Sequence, residues 1–289
     1  MSKRRLIFGC GYLGKRVADA WRDAGDEVFA VTRSEERAAA WRAEGLHPIL
    51  ADVTDPATLA ELPTADTVLF AVGYDRNAGP SIFEVYEHGF QNALDALPRG
   101  TGRVVYISTT GVYGDAGGDW VDEQTPPDPK RDGGRASLAA ERALADHHNA
   151  ADSVVLRLAG IYGPGRVPFL ERLKSGQPIN APSEGWLNLI HVEDAARIVQ
   201  TVADAEQTAA VYCVSDGNPV VRGEYYAEAA RLLGVAPPEF EKPPEGSSAA
   251  ARAGASKRIS NRRLQEDLGV RFAYPTHRAG LAAIISTSP

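Results

Sequence analysis

Glycines at positions 9, 11 and 14 fall where a short apolar run, Leu6-Ile7-Phe8, gives way to the helical spacing of Val17, Ala18, Trp21 and Ala24. Few local patterns constrain a chain more. A strand that passes into a helix through Gly-x-Gly-x-x-Gly needs Gly9 for the tight turn. It needs Gly11 so that the backbone can approach a pyrophosphate with no Cβ in the way, and Gly14 for close packing of helix on strand. The first amides of the helix then face the phosphates. Gly9, Gly11, Tyr12, Leu13 and Gly14 are therefore the expected cradle of a dinucleotide cofactor.

The pattern that follows agrees. Short β-rich runs at 4–8, 27–31, 67–72, 103–107 and 153–158, with a further strand ending at Leu50, alternate with helical patterns at 13–24, 81–97 and 136–150. Such alternation predicts an α/β fold: a Rossmann, doubly wound parallel sheet with helices on both faces. Residues 1–160 form the expected dinucleotide domain, and a helix at 191–203 with a strand at 210–214 returns segment 191–216 to it. Residues 161–190 and 217–289 make a smaller, interleaved C-terminal substrate lobe, in which the Pro-, Gly-, Ser- and Ala-rich run 243–256 is a surface loop.

Composition narrows the partners. The chain of 289 residues carries a net charge of -7, and its 31 basic residues are scattered, which argues against nucleic acid. Cys10 and Cys213 are the only cysteines and stand far apart, so neither a disulfide framework nor a metal site is expected, and the expected compartment is the reducing cytoplasm. The basic start Lys3-Arg4-Arg5 precedes too short an apolar run for a signal segment, and no stretch reaches membrane-spanning length.

The tip of the second strand discriminates between the two nicotinamide dinucleotides, because an acidic residue there binds a ribose 2′-hydroxyl and an arginine accommodates a 2′-phosphate. Here it reads Val31-Thr32-Arg33-Ser34, which favours NADP(H) over NAD(H), with Arg33 as the phosphate partner and Arg37 as a second candidate. Asp52 and Val53 are expected at the adenine, and Ala71, Val72 and Gly73 beneath the ribose.

Further along, Val105 to Gly114 reads Val-Tyr-Ile-Ser-Thr-Thr-Gly-Val-Tyr-Gly. Leu156 to Arg166 reads Leu-Arg-Leu-Ala-Gly-Ile-Tyr-Gly-Pro-Gly-Arg, and Asn188-Leu-Ile-His191 opens a later helix. In this order the motifs resemble the extended short-chain dehydrogenase/reductases, the group of the NAD-dependent epimerases and dehydratases. The resemblance implies a proton relay in which a Tyr phenolate is activated by a Lys four residues on and a Ser or Thr holds the substrate oxygen. Thr109 matches the Ser/Thr, and Ser108 beside it is expected at the cofactor. The Tyr and Lys positions hold Gly133 and Ser137, and no Tyr lies between Tyr113 and Tyr162. The chain is thus similar to an atypical branch, the YeeZ-type bacterial proteins, which share a Ser-Gly-Arg or Gly-Gly-Arg segment here.

Arg135, Tyr113 and Thr109 remain the catalytic candidates. Arg135 is either an anion or oxyanion partner or a solvated charge at a helix start, and it cannot act as a base. Tyr113 offers a phenol in a motif whose aromatic is mainly structural. Arg166 and Asn188 are the candidate contacts to a small-molecule substrate, while His191 and Asp194 are expected to support the backbone. The basic run Lys257 to Leu264 reads as a helix face or a phosphate contact. Two functions stay open: an NADP(H)-dependent oxidoreductase or epimerase-like enzyme, and a non-catalytic NADP(H)-binding sensor. The resemblance implies a homodimer.

Overall fold

The computed structural model describes residues 2–244, 250 and 255–286. The main strands are β1 (Arg4–Phe8), β2 (Glu27–Thr32), β3 (His47–Leu50), β4 (Thr67–Phe70), β5 (Arg103–Thr109), β6 (Val154–Leu158) and β7 (Val211–Val214). They form one seven-stranded parallel sheet in the order β7-β6-β5-β4-β1-β2-β3. Every residue of β4 and β6 is buried, as expected of parallel strands covered on both faces. Strand order reverses between β1 and β4, the switch point whose carboxyl-end crevice receives ligands in open α/β sheets.

Helices α1 (Gly14–Asp23), α2 (Glu35–Ala43), α3 (Gly89–Ala96) and α4 (Asp132–Asp146) accompany the sheet. Phe8, Phe70, Phe90 and Tyr106 join in one aromatic cluster, with Phe90 stacked on Tyr106 at 4.5 Å between centroids. At the other end of β1 the buried Arg5 guanidinium bonds Asp26 at 2.7 Å, Asp204 at 2.6 Å and Thr67 at 2.7 Å, over the ring of Trp21.

Two elements differ from the sequence reading. The helix expected from residue 81 opens with a π-helical turn, Glu84–His88, before α3 continues it. The helix expected from residue 136 starts at Asp132, because glycines are tolerated in a first turn, where Asp132 also faces the positive end of the helix dipole.

The chain divides into two compact units. The first holds the residues up to Val112 with Asp132–Arg157 and Ala196–Tyr212; the second holds Tyr113–Arg131, Leu158–Ala195 and the residues from Cys213 on. Segment 113–131, read from sequence as part of the first domain, therefore clusters with the second unit. Its strand Trp120–Val121 pairs in parallel with Arg258–Ile259. Helix α5 (Val192–Asp204) begins in the second unit and ends in the first. Within the second unit, α6 (Arg222–Leu233), α7 (Arg262–Leu268) and α8 (His277–Ser286) follow. Its core gathers Tyr162, Ile179, Leu189, Tyr225, Leu281 and Ile284. Of the loop read at 243–256, residues 245–249 and 251–254 lie outside the described residues. Among the described residues no helix is long and apolar enough to cross a membrane, and no group of three or more His, Cys, Asp or Glu is placed to hold a metal ion.

Candidate functional site

The three loop glycines are required for three different reasons. Gly9 has φ 85°, and a Cβ there would lie 2.4 Å from the carbonyl carbon and oxygen of Ala71. At Gly14 a Cβ would meet the Gly9 oxygen at 2.3 Å, so strand and helix touch backbone to backbone. A Cβ on Gly11 would meet nothing within 4 Å. Protein packing therefore does not explain Gly11; open space above its backbone fits a phosphate that must come close. No side chain caps α1 and no acidic residue stands in its first turn, so nothing competes there with an anion. Leu13 is buried, and Tyr12 lies under the Arg16 guanidinium at 4.5 Å. The Cys10 thiol is pushed up to about 12, first by burial and against the pull of Lys15, so it stays protonated and inert.

At the tip of β2, Arg33 is 56% exposed and its Nη1 lies 3.5 Å from an Asp52 carboxylate oxygen. Ser34 caps α2 by accepting the Arg37 N–H at 3.2 Å. Thr32, Arg33, Ser34, Glu36, Arg37 and Ala40 line a depression of about 700 Å³. Burial acts to raise the Asp52 carboxyl, but the N–H and hydroxyl of Thr54 and the charge of Arg33 outweigh it and hold it below the usual range. Val53 packs against Gly89, and its carbonyl accepts the Asn92 amide at 2.8 Å. The sequence reading passed over Asn92, whose one signal was a polar side chain among the apolar positions of α3. Ala71 continues the ladder by donating to Phe8 at 2.8 Å; Val72 packs on the core, and a Cβ on Gly73 would meet nothing within 4 Å.

Beyond β5, Thr109 Oγ1 accepts the Gly111 N–H at 3.0 Å. Ser108 corrects an expectation: its hydroxyl is buried and donates to Glu141, which is paired with Arg157 at 2.6 Å, so the side chain serves the core rather than a cofactor. Ser137, at the expected Lys position, is buried, only 3% exposed. A Cβ on Gly133, at the expected Tyr position, would meet Ile82 at 3.4 Å. Neither position supplies the Tyr phenol or the Lys ammonium of the relay. Arg135 is 56% exposed and lies 3.4 Å from Asp132 one turn earlier, a pair of little energetic weight.

In the second unit, Tyr113 is 3% exposed and its phenol lies 3.0 Å from the Cys213 thiol, a buried contact that removes it from solvent. Asn188 also departs from expectation. Its Oδ1 accepts the Ile259 N–H at 2.7 Å and its Nδ2 donates to the Lys257 carbonyl at 2.9 Å, so both ends of the amide clamp a neighbouring strand. Arg166 closes an exposed turn with Gly163, its N–H donating at 2.9 Å. Asp194 accepts the N–H groups of Ala273 and Tyr274, each at 2.9 Å, and the His191 ring packs on Tyr274. Lys257 is buried and donates to the Gly114 carbonyl at 2.6 Å. Burial first, then the charge of Arg131, push its ammonium down to about 8 against Asp115.

Asp216 is 4% exposed, and its Oδ2 has no hydrogen-bond partner among the described residues. Burial, then the nearby Asp194, raise its carboxyl from 3.8 to about 7 against the Asn218 N–H. In the folded chain it keeps its proton up to that pH, whereas unfolded it ionises near 3.8. Its stabilising contribution is therefore full below 3.8 and is lost as pH rises to about 7. Asp216→Asn is expected to gain about 1–3 kcal/mol over wild type at pH 8 and little at pH 4. Urea unfolding of both proteins at the two pH values checks this; a mutant-minus-wild-type difference independent of pH contradicts it.

The model of the NAD dependent epimerase/dehydratase family matches residues 6–214. Protein YeeZ of Escherichia coli K12 is 32% identical over 281 residues, 94% of this chain and 97% of YeeZ. A conserved protein of Silicibacter pomeroyi DSS superposes with a TM-score of 0.79 at 31% identity over 99% of both chains. MoeE5, solved with UDP-glucose and NAD, superposes with a TM-score of 0.78 at 26% identity over 99% of this chain and 98% of its own. With the glycine loop and the sheet order on which such a family is built, the chain belongs to the NAD dependent epimerase/dehydratase family.

Proposed function

We propose that the chain is an NADP(H)-dependent oxidoreductase that acts on a small polar substrate without a Tyr-Lys relay. The β2 tip carries this reading: Arg33 and Arg37 border an open depression where the 2′-phosphate of a dinucleotide on the Gly11 cradle would lie. A guanidinium matches a phosphate in charge and geometry. Asp52, held ionised by Thr54, keeps Arg33 beside the expected adenine position. NAD in the MoeE5 structure supports the cofactor class. When bound, the nicotinamide supplies the two-electron chemistry. Thr109, at the Ser/Thr position of the motif, is the side chain we assign to hold a substrate oxygen, and Arg135 is an exposed cation on the same unit.

A sensor that binds the dinucleotide without turnover is the second reading. The burial of Ser137 favours it, because it closes into the core the position where a relay lysine would stand.

Calorimetric titration with NADPH and NADH tests the cofactor. NADPH is expected to bind more tightly, and Arg33→Ala to weaken NADPH about 10- to 100-fold while leaving NADH nearly unchanged. Tighter NADH binding by the wild type overturns the assignment. Mass spectrometry of metabolites retained by NADP-loaded protein, followed by turnover assays with each, separates the two readings: retention without turnover supports the sensor.

A further inference from the structure

An oxidoreductase that interconverts a carbonyl and a hydroxyl must move a proton with every hydride, and a phenol is one of the side chains that can carry it. The tyrosines of the first unit are Tyr12, Tyr74, Tyr86, Tyr106 and Tyr212. Tyr106 and Tyr212 are buried, and burial pushes the Tyr106 phenol well above its ordinary value, so it keeps its proton. Tyr12 lies in the glycine loop, under the Arg16 guanidinium. Tyr74 and Tyr86 are only partly buried.

Phe90 of α3 packs on Phe70, the last residue of β4, at 4.7 Å between centroids and on Tyr106 of β5 at 4.5 Å. Because α3 returns the chain from the carboxyl end of β4 to the start of β5, residues ahead of Phe90 stand toward the carboxyl ends of the strands. Tyr86 precedes Phe90 by four residues, about one helical turn, on the same face. Its oxygen accepts the Tyr74 N–H at 3.1 Å, and the two rings meet edge to face at 6.3 Å. Tyr74 follows Gly73, the exposed glycine at which the cofactor's ribose is expected. Thr109 ends the neighbouring strand β5, beyond Tyr106 in the same direction.

The turn that carries Tyr86 is specific. It is the π-helical turn Glu84–His88, closed by the Gly89 N–H donating to the Glu84 carbonyl, and single π turns inserted in helices recur at functional sites. A Cβ on Gly89 would meet Val53 Cγ2 at 2.8 Å, so the turn sits tightly on the segment after β3. One turn before Tyr86, Ile82 lies 3.4 Å from where a Cβ on Gly133 would stand, so the same helix covers the position at which α4 lacks a Tyr. The Tyr74 N–H engages a lone pair of the Tyr86 phenol and not its hydrogen, and an N–H aimed at a phenol oxygen supports negative charge there. Among the described residues no hydrogen bond fixes the hydroxyl of Tyr74 itself.

We propose that Tyr86 is the proton-carrying phenol of this chain, supplied from the helix that packs on α4 in place of the Tyr that α4 lacks. The assignment rests on the oxidoreductase reading above. In reduction the substrate's carbonyl carbon gains a hydride, with its electron pair, from the reduced dinucleotide, while its oxygen gains the Tyr86 hydrogen as a proton. The phenolate left behind, steadied by the Tyr74 N–H, recovers a proton from water. In oxidation the phenolate takes the hydroxyl proton as the hydride leaves.

The phenol is read without turnover. Oxidised NADP carries a positive nicotinamide, which favours a phenolate beside it, so its binding is expected to raise phenolate absorbance at alkaline pH in wild type and not in Tyr86→Phe. NAD replaces NADP should it bind more tightly, so the signal does not depend on the 2′-phosphate assignment. Tyr86→Phe keeps the ring of a partly exposed side chain and is expected to fold as wild type does, with dinucleotide affinity within about twofold. Its kcat with diacetyl, or with any metabolite retained by the NADP-loaded protein, is expected to fall at least about 100-fold. An equal absorbance change in both proteins, or none in either, overturns the assignment, as does a kcat of Tyr86→Phe within about threefold of wild type. A Tyr86-dependent change without turnover of any of these compounds overturns the enzyme reading and proton transfer by Tyr86 with it. Turnover without a Tyr86-dependent change overturns Tyr86 alone.

Discussion

Gly11→Ala is expected to leave the protein as stable as wild type, within about 0.5 kcal/mol, and to weaken dinucleotide binding at least about a hundredfold. The Cβ it adds meets no protein atom within 4 Å, so the folded chain has no reason to resist it. The space it fills is the one a pyrophosphate needs for close approach to the loop amides. Gly9→Ala is expected to behave in the opposite way. Its φ of 85° already disfavours a side chain, and the new carbon would lie 2.4 Å from the Ala71 carbonyl, a backbone group inside the sheet that cannot give way. A loss of more than about 3 kcal/mol is expected, with binding lost only because the fold is. Urea unfolding and calorimetric titration on the two variants separate a ligand-facing glycine from a packing glycine. Wild-type affinity in Gly11→Ala would show that the loop does not cradle the cofactor.

That contrast also marks what a sequence discloses. The glycine spacing was legible because its constraints are local, acting within a single strand-turn-helix. The sheet was legible for a similar reason: β1 and β4 carry unbroken apolar runs at Leu6–Phe8 and Val68–Phe70, and buried parallel strands leave that trace. The beginning of α4 was not, because Gly133 and Gly134 look like helix breakers until the first turn they occupy is seen. The candidate side chains were least legible. Ser108 finds its acceptor 33 residues away, Asn188 its strand 69 residues away, and Tyr113 its thiol 100 residues away. A motif names the residue type, but its hydrogen-bond partner is chosen by tertiary packing. Lys257 shows the converse: read as part of a helix face or a phosphate contact, it is buried, and nothing in its neighbours along the chain announces that.

The Glu141–Arg157 pair is expected to be the most costly of the first unit's polar contacts to break. Both side chains are 7% exposed, and they meet through Nη2 to Oε2 at 2.6 Å and Nε to Oε1 at 3.1 Å, with the Ser108 hydroxyl as a third member. The network ties α4, β6 and β5 together, and with them the strand end that carries Thr109. Glu141→Ala would leave a guanidinium buried without its counter-charge and a hydroxyl without its acceptor, which costs about 3–5 kcal/mol. The intact pair is worth much less than that, because its own desolvation offsets most of the attraction. Replacing both partners, Glu141→Leu with Arg157→Leu, is therefore expected to recover a large part of the loss. A double-mutant cycle by urea unfolding measures the coupling directly. If the two single losses simply add in the double variant, the buried network does not act as a unit, and α4 is held instead by its apolar face, Ala140 and Leu144, packed into the core.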